Sequence, residues 1–152
     1  MMTPVAKAKM LMRCSAASVF DAFVQPEKIT SFWLDSTSGP LALGAHVEWQ
    51  FMVPGAIEGV AVTAFARPQH IAFTWTGSAL DVDLRFSELE GGFTVVSVEV
   101  RGFAGVDAIE QAIDATEGCS IVLCDLKLLL ESGRSPQLVR EKAALIARSA
   151  GA

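Results

Sequence analysis

One stretch in the last third of the chain constrains the fold more than any other. Asp107 to Glu131 reads as a single long helix, and its later part runs Gly118-Cys119-Ser120-Ile121-Val122-Leu123-Cys124-Asp125-Leu126-Lys127-Leu128-Leu129-Leu130-Glu131. It is too apolar to lie on a surface and too often interrupted by charge to span a membrane. The segments before it are strand-like, so a sheet must wrap around it. A curved sheet gripping one helix leaves a wedge between the two, and such a wedge suits a small molecule. At 152 residues the chain is long enough for one domain with a sizeable core.

The strand-like run can be read residue by residue. Val5 to Arg13 alternates as a strand. Ser15 is placed to N-cap a helix over Ala16 to Val24, and Pro26 to open a second short helix, Pro26 to Phe32. Thr37 to Gly44 reads as a loop. His46 to Val53 puts Val47, Trp49, Phe51 and Val53 on one face, with His46, Glu48 and Gln50 on the other. Strands follow over Gly59 to Ala66, His70 to Thr76, Leu80 to Leu89 and Phe93 to Phe103. Ile71, Phe73 and Trp75 share a face of the second of these.

The last hairpin fixes its own register. A two-residue turn would oppose Leu84 to Glu99 and mix charge into an apolar face. A three-residue loop, Glu90-Gly91-Gly92, opposes Phe86 to Val96, Leu84 to Val98 and Val82 to Val100 instead. The other face then carries Asp81, Asp83, Arg85, Ser97, Glu99 and Arg101, with Arg85 diagonal to Glu99, as a solvated outer surface. On the long helix, Ala112, Thr116, Cys119, Leu123, Leu126 and Leu130 share the face expected to meet the sheet. Ile121, Cys124 and Leu128 form a second stripe. A further amphipathic helix, Gln137 to Ser149, is expected to cover that stripe or to mediate a homodimer.

Strand, two short helices, a meander and a long helix follow in the order of START-like proteins. In particular the chain resembles the activator of Hsp90 ATPase homologue-like family of the START-like (SRPBCC) superfamily. Val19-Phe20-Asp21-Ala22-Phe23, Pro26-Glu27-Lys28-Ile29 and Phe32-Trp33 carry the opening of the resemblance. Gly44 with the His46 to Phe51 strand, Gly59-Val60, Arg67-Pro68 and His70 to Trp75 carry its centre. Gly102-Phe103, Gly118 to Leu123, Leu126-Lys127 and Leu129-Leu130-Glu131 carry its end. The family usually has tryptophan after the glycine of the final helix, where this chain has Cys119. The resemblance covers about residues 5 to 133. It implies an α+β helix-grip (START-like) fold, with a curved antiparallel sheet of about six to seven strands around the long C-terminal helix and two short helices after the first strand. Residues 1–133 are expected to form the ligand-binding domain, and 134–152 a helical extension of it.

Chemistry is sparse. There is no nucleophile elbow, Walker loop or dinucleotide fingerprint, so no catalytic residue is assigned. Cys119 and Cys124 lie about 140° apart around a helix and cannot share an ion. No metal and no cofactor are expected, and His46 and His70 read as exposed or satisfied. The net charge of −5 and the lack of a basic stripe disfavour nucleic acid and membrane insertion. Met1 to Arg13 lacks the apolar core of a signal peptide, and three cysteines without framework spacing suit reduced thiols in a cytoplasm.

The expected partner is therefore a small hydrophobic or amphipathic molecule. Its expected site is lined by Trp33, Trp49, Phe51, Phe73, Trp75, Phe86, Cys119 and Leu123. Two alternatives stay open: a protein-interaction or co-chaperone-like module, and a cyclase- or hydrolase-like enzyme working in the same cavity.

Overall fold

The computed structural model describes residues 3–150. The outer ends of the two expected units, residues 1 and 152, lie outside that range. The elements are β1 (Ala6–Met12), α1 (Ala16–Val24), α2 (Pro26–Ile29), β2 (Leu34–Thr37), β3 (His46–Phe51), β4 (Ile57–Ala66), β5 (His70–Trp75), β6 (Leu80–Leu89), β7 (Phe93–Arg101), α3 (Ala108–Ser132) and α4 (Leu138–Ala150). The strands form one antiparallel sheet in the order β1-β7-β6-β5-β4-β3-β2. It curls around α3 in the helix-grip arrangement expected from the sequence. Irregular pairing near Val62 and Ala64 in β4, and near Leu34 and Ser36 in β2, helps it bend.

Local chemistry explains several boundaries. Ser15 caps α1 as expected: its Oγ accepts a hydrogen bond from the Ser18 backbone N–H at 3.2 Å. Helix α2 stops at Ile29, short of the expected Phe32. The Thr30 and Ser31 hydroxyls donate back to the carbonyls of Pro26 and Glu27, and the chain runs on as turns. The β6–β7 hairpin takes the three-residue loop, with Phe86 opposite Val96 and Leu84 opposite Val98. Gly91 and Gly92 adopt φ of 89° and 82°, a backbone that favours glycine.

Two expectations need correction, and one surface contact falls elsewhere than the register suggests. The Thr37 to Gly44 loop is preceded by a strand, β2, whose Leu-Asp-Ser-Thr sequence has little strand propensity and which exists by pairing with β3. Arg85 stands diagonal to Glu99, as the register predicts, but makes no ion pair with it. It pairs along its own strand with Asp83 at 3.1 Å, while Glu99 is taken by Arg101 at 2.7 Å and Lys7 at 3.7 Å. On α3, the buried set is Ala112, Val122, Leu123, Asp125 and Leu126. Val122 thus joins the inward face and Asp125 is buried from the α4 side, while Thr116, Cys119 and Leu130 are only half-buried.

Helix α4 folds back on α3 within the same chain, and α3 supplies the cap that α4 needs. Asp125, 1% exposed, accepts a hydrogen bond from the Ser135 hydroxyl at 2.6 Å and one from the Val139 N–H at 3.3 Å. Its two oxygens thereby satisfy the linker and one of the open N–H groups in the first turn of α4. Of the second stripe, Ile121 and Cys124 are half-buried, while Leu128 stays 45% exposed.

The candidate ligand cavity

The sheet face that meets α3 is aromatic at one end. Trp33 packs against Trp49 with ring centroids 5.1 Å apart, Trp49 against Phe73 at 5.0 Å, and Phe51 against Trp75 at 5.7 Å. Phe51 and Trp75 are the last residues of β3 and β5. Trp49 and Phe73, two residues earlier and on the same faces, are each 1% exposed and belong to the core.

Beyond those strand ends lies a cavity of about 310 Å³. That is at the small end of the range of roughly 300–1,000 Å³ typical of ligand pockets. Trp33, Phe51, Trp75 and Val100 form its sheet side, and Met52, Val53 and Ala56 of the β3–β4 turn close one edge. Helix α3 contributes Ala115, Gly118, Cys119, Ile121 and Val122, and α4 contributes Val139, Lys142, Ala143 and Ile146. The wall is apolar except at Lys142. Ile146 is 42% exposed, so the cavity opens along α4.

Of the eight residues expected to line a site, Trp33, Phe51, Trp75 and Cys119 do line this cavity. Trp49, Phe73, Phe86 and Leu123 instead pack in the core behind it, each at most 3% exposed. Phe86 is held by Phe20 and Phe23 of α1, at 5.4 and 5.7 Å. Alternation had placed the strand residues on the correct face without giving their depth along it. The α4 wall was missed because its apolar positions were assigned to covering the outer stripe of α3. A signal was there: Val139, Ala143 and Ile146 recur at helical spacing.

Two side chains in the wall are chemically distinctive. Burial pushes the Cys119 thiol up from its ordinary 9.0 to about 11, so it is a protonated, weakly reactive group at neutral pH. The Trp75 indole N–H is buried without a hydrogen-bond acceptor among the described residues. The Trp75 ring centroid lies 5.7–6.5 Å from those of Trp33, Trp49, Phe51 and Phe73, so aromatic rings surround it. Outside the cavity, His70 pairs with Asp83 at 3.1 Å and His46 is exposed. Among the described residues no group of three His, Cys, Asp or Glu could hold a metal ion, and no helix is long and apolar enough to cross a membrane.

The model of the family described as Activator of Hsp90 ATPase homolog 1-like protein matches residues 13–131. The chain belongs to this family. Its fold places it, with the family, in the START-like superfamily. The match ends one residue before the end of α3, so α4 and its share of the cavity wall lie outside it. A crystal structure of a Staphylococcus saprophyticus family relative is 32% identical, covering 86% of this chain and 94% of that one with a TM-score of 0.76. The solution structure of the Aha1 dimer from Colwellia psychrerythraea is 14% identical over 86% of this chain and 98% of its own, with a TM-score of 0.75. DynU16, a putative protein in the dynemicin biosynthetic locus, is 15% identical over 88% of this chain and 49% of its own, also at 0.75. At those two identities the likeness is one of fold. No curated protein matches the chain.

Proposed function

We propose that the chain binds a small apolar or amphipathic molecule in the cavity between the aromatic strand ends, α3 and α4. Gly118 carries the argument. A glycine inside a helix costs about 1 kcal/mol relative to alanine. Here nothing in the fold asks for one: a Cβ built on Gly118 meets no atom within 4 Å, and its φ is not in the left-handed region. What its missing side chain leaves is cavity space, next to Cys119, where the family usually has tryptophan. An apolar recess left unfilled forgoes the contacts that a packed interior would make, and such a recess suits an occupant. Residues 134–150 belong to the same binding unit in this reading, because α4 closes one wall.

Uptake of an apolar fluorescent probe tests the proposal. Wild type should bind the probe, and Cys119→Trp should raise the melting temperature while abolishing uptake. If Cys119→Trp unfolds the protein through overpacking, the space was never available and the reading fails. Native mass spectrometry of protein from its own host should show a co-purifying small molecule.

A second reading, compatible with the first, is a homodimer. Val106, Ile109 and Ile113, at and before the start of α3, are 101%, 69% and 63% exposed. That apolar surface supports a self-association site, and a relative of the same fold is described as a dimer. Sedimentation of wild type should give twice the monomer mass and Ile109→Glu the monomer; a monomeric wild type would overturn it. The three cysteines are free thiols, which supports a reducing compartment such as the cytoplasm.

A further inference from the structure

We propose that the cavity's ligand is an amphipathic monoanion, an apolar body bearing one carboxylate, and that Lys142 holds that carboxylate at the mouth. This rests on the ligand-binding reading above and adds the chemical class of the ligand. Among the residues that line the cavity, Lys142 alone carries a charge. Its place is one of transition: the side chain stands in an apolar wall, yet is 30% exposed. Ile146, one turn further along α4, is exposed on the same open side. A lysine so placed lays its stem over apolar surface and keeps its ammonium at the water.

The ammonium already holds a carboxylate. Glu117 Oε1 lies 2.6 Å from Lys142 Nζ. Glu117 projects from α3 beside Gly118 and is 57% exposed. An ion pair this exposed is weak, so Glu117 can turn into solvent and leave its position to a ligand's headgroup. The ligand's tail then runs inward between Trp33, Phe51 and Trp75 on one side and Gly118 and Cys119 on the other. A neutral apolar molecule would gain nothing from Lys142. A dianion's second charge would find no cationic partner among the lining residues and would gain nothing from the site. The arrangement therefore selects a single negative charge at one end of an apolar body.

Decanoate and decanol separate the alternatives, because they share a tail and differ in the head. Titration followed by tryptophan fluorescence, at neutral pH, should show wild type binding decanoate about tenfold more tightly than decanol. Lys142→Met keeps the apolar stem and removes the charge, so the ratio of decanoate to decanol affinity should fall to about one. Glu117→Gln removes the internal competitor without altering the wall, and should tighten decanoate while leaving decanol unchanged. Equal affinities in wild type would overturn the proposal, as would a preference that survives Lys142→Met or a decanoate affinity that ignores Glu117→Gln. In each of those cases decanol binding leaves the cavity reading standing. Failure of folded wild type to bind either probe overturns the cavity reading, and this inference with it.

Discussion

The two halves of α3 face the same sheet and meet it in opposite ways. From Leu123 onward the helix presents Leu123, Leu126, Leu129 and Leu130, and Leu123 and Leu126 are fully buried. Before that point it presents Ala108, Ala112, Ala115, Gly118 and Cys119. Opposite the small residues stand the rings of Trp33, Phe51 and Trp75, and a cavity remains between them. The difference is one of side-chain volume on a continuous backbone. Large residues close the gap between helix and sheet to interior density, and small ones cannot. One half of the helix is thus an anchor and the other a wall.

The anchor is reinforced by polar contacts. Lys127 Nζ donates to the Leu11 carbonyl at 2.7 Å and lies 2.7 Å from Glu131, which also binds the Arg13 backbone and guanidinium. These tie the packed half of α3 to β1 and to the chain just beyond it.

Substitutions that exchange the character of the halves break the comparison. The largest effect is expected from Leu126→Ala, which opens a void in the anchor. It should cost about 2–5 kcal/mol of stability in chemical denaturation, far more than any truncation around the cavity. A loss below 1 kcal/mol would mean the anchor is not tightly packed.

Asp125→Ala comes next. It leaves the Ser135 hydroxyl and the Val139 N–H without their acceptor, at about 1–3 kcal/mol. Hydrogen exchange should speed up in α4 while the sheet stays protected, and probe uptake should fall as the α4 wall loosens. Uniform loss of protection would show that α4 and the sheet unfold as one unit.

Gly118→Ala sharpens the comparison with the opposite sign. It should stabilise the protein by up to about 1 kcal/mol, since a Cβ there meets nothing, and it should weaken probe binding slightly. Destabilisation would reveal a packing role for the glycine.

Acid should act weakly, and through the anchor. The Lys127 ammonium, followed by the Arg13 backbone N–H, holds the Glu131 carboxyl below its ordinary 4.5. A carboxylate whose folded value is depressed contributes stability that is present above its unfolded value and lost as pH falls through the folded one. The melting temperature should therefore decline below about pH 4.5, and Glu131→Gln should flatten that decline. An unchanged slope in the variant would assign acid sensitivity elsewhere, for example to Asp21, whose carboxyl is lowered by its hydrogen bond from Arg67.

Local patterns in the sequence were enough for the gripping helix, the β6–β7 register and the Ser15 cap. Each depends on neighbours close in the chain: helical spacing, strand alternation, or a hydroxyl three residues from the N–H it accepts. The same patterns put Trp49, Phe51, Phe73 and Trp75 on the inward face, because alternation decides which side a residue faces. Tertiary structure alone decided that Phe51 and Trp75 border open space while Trp49 and Phe73 do not. That outcome depends on which part of α3 lies opposite each strand end, and nothing local encodes it. It likewise buried Asp125, because the partners that satisfy its oxygens lie ten and fourteen residues away beyond a turn. It also brought Lys142 to Glu117, giving the cavity wall its one charged side chain.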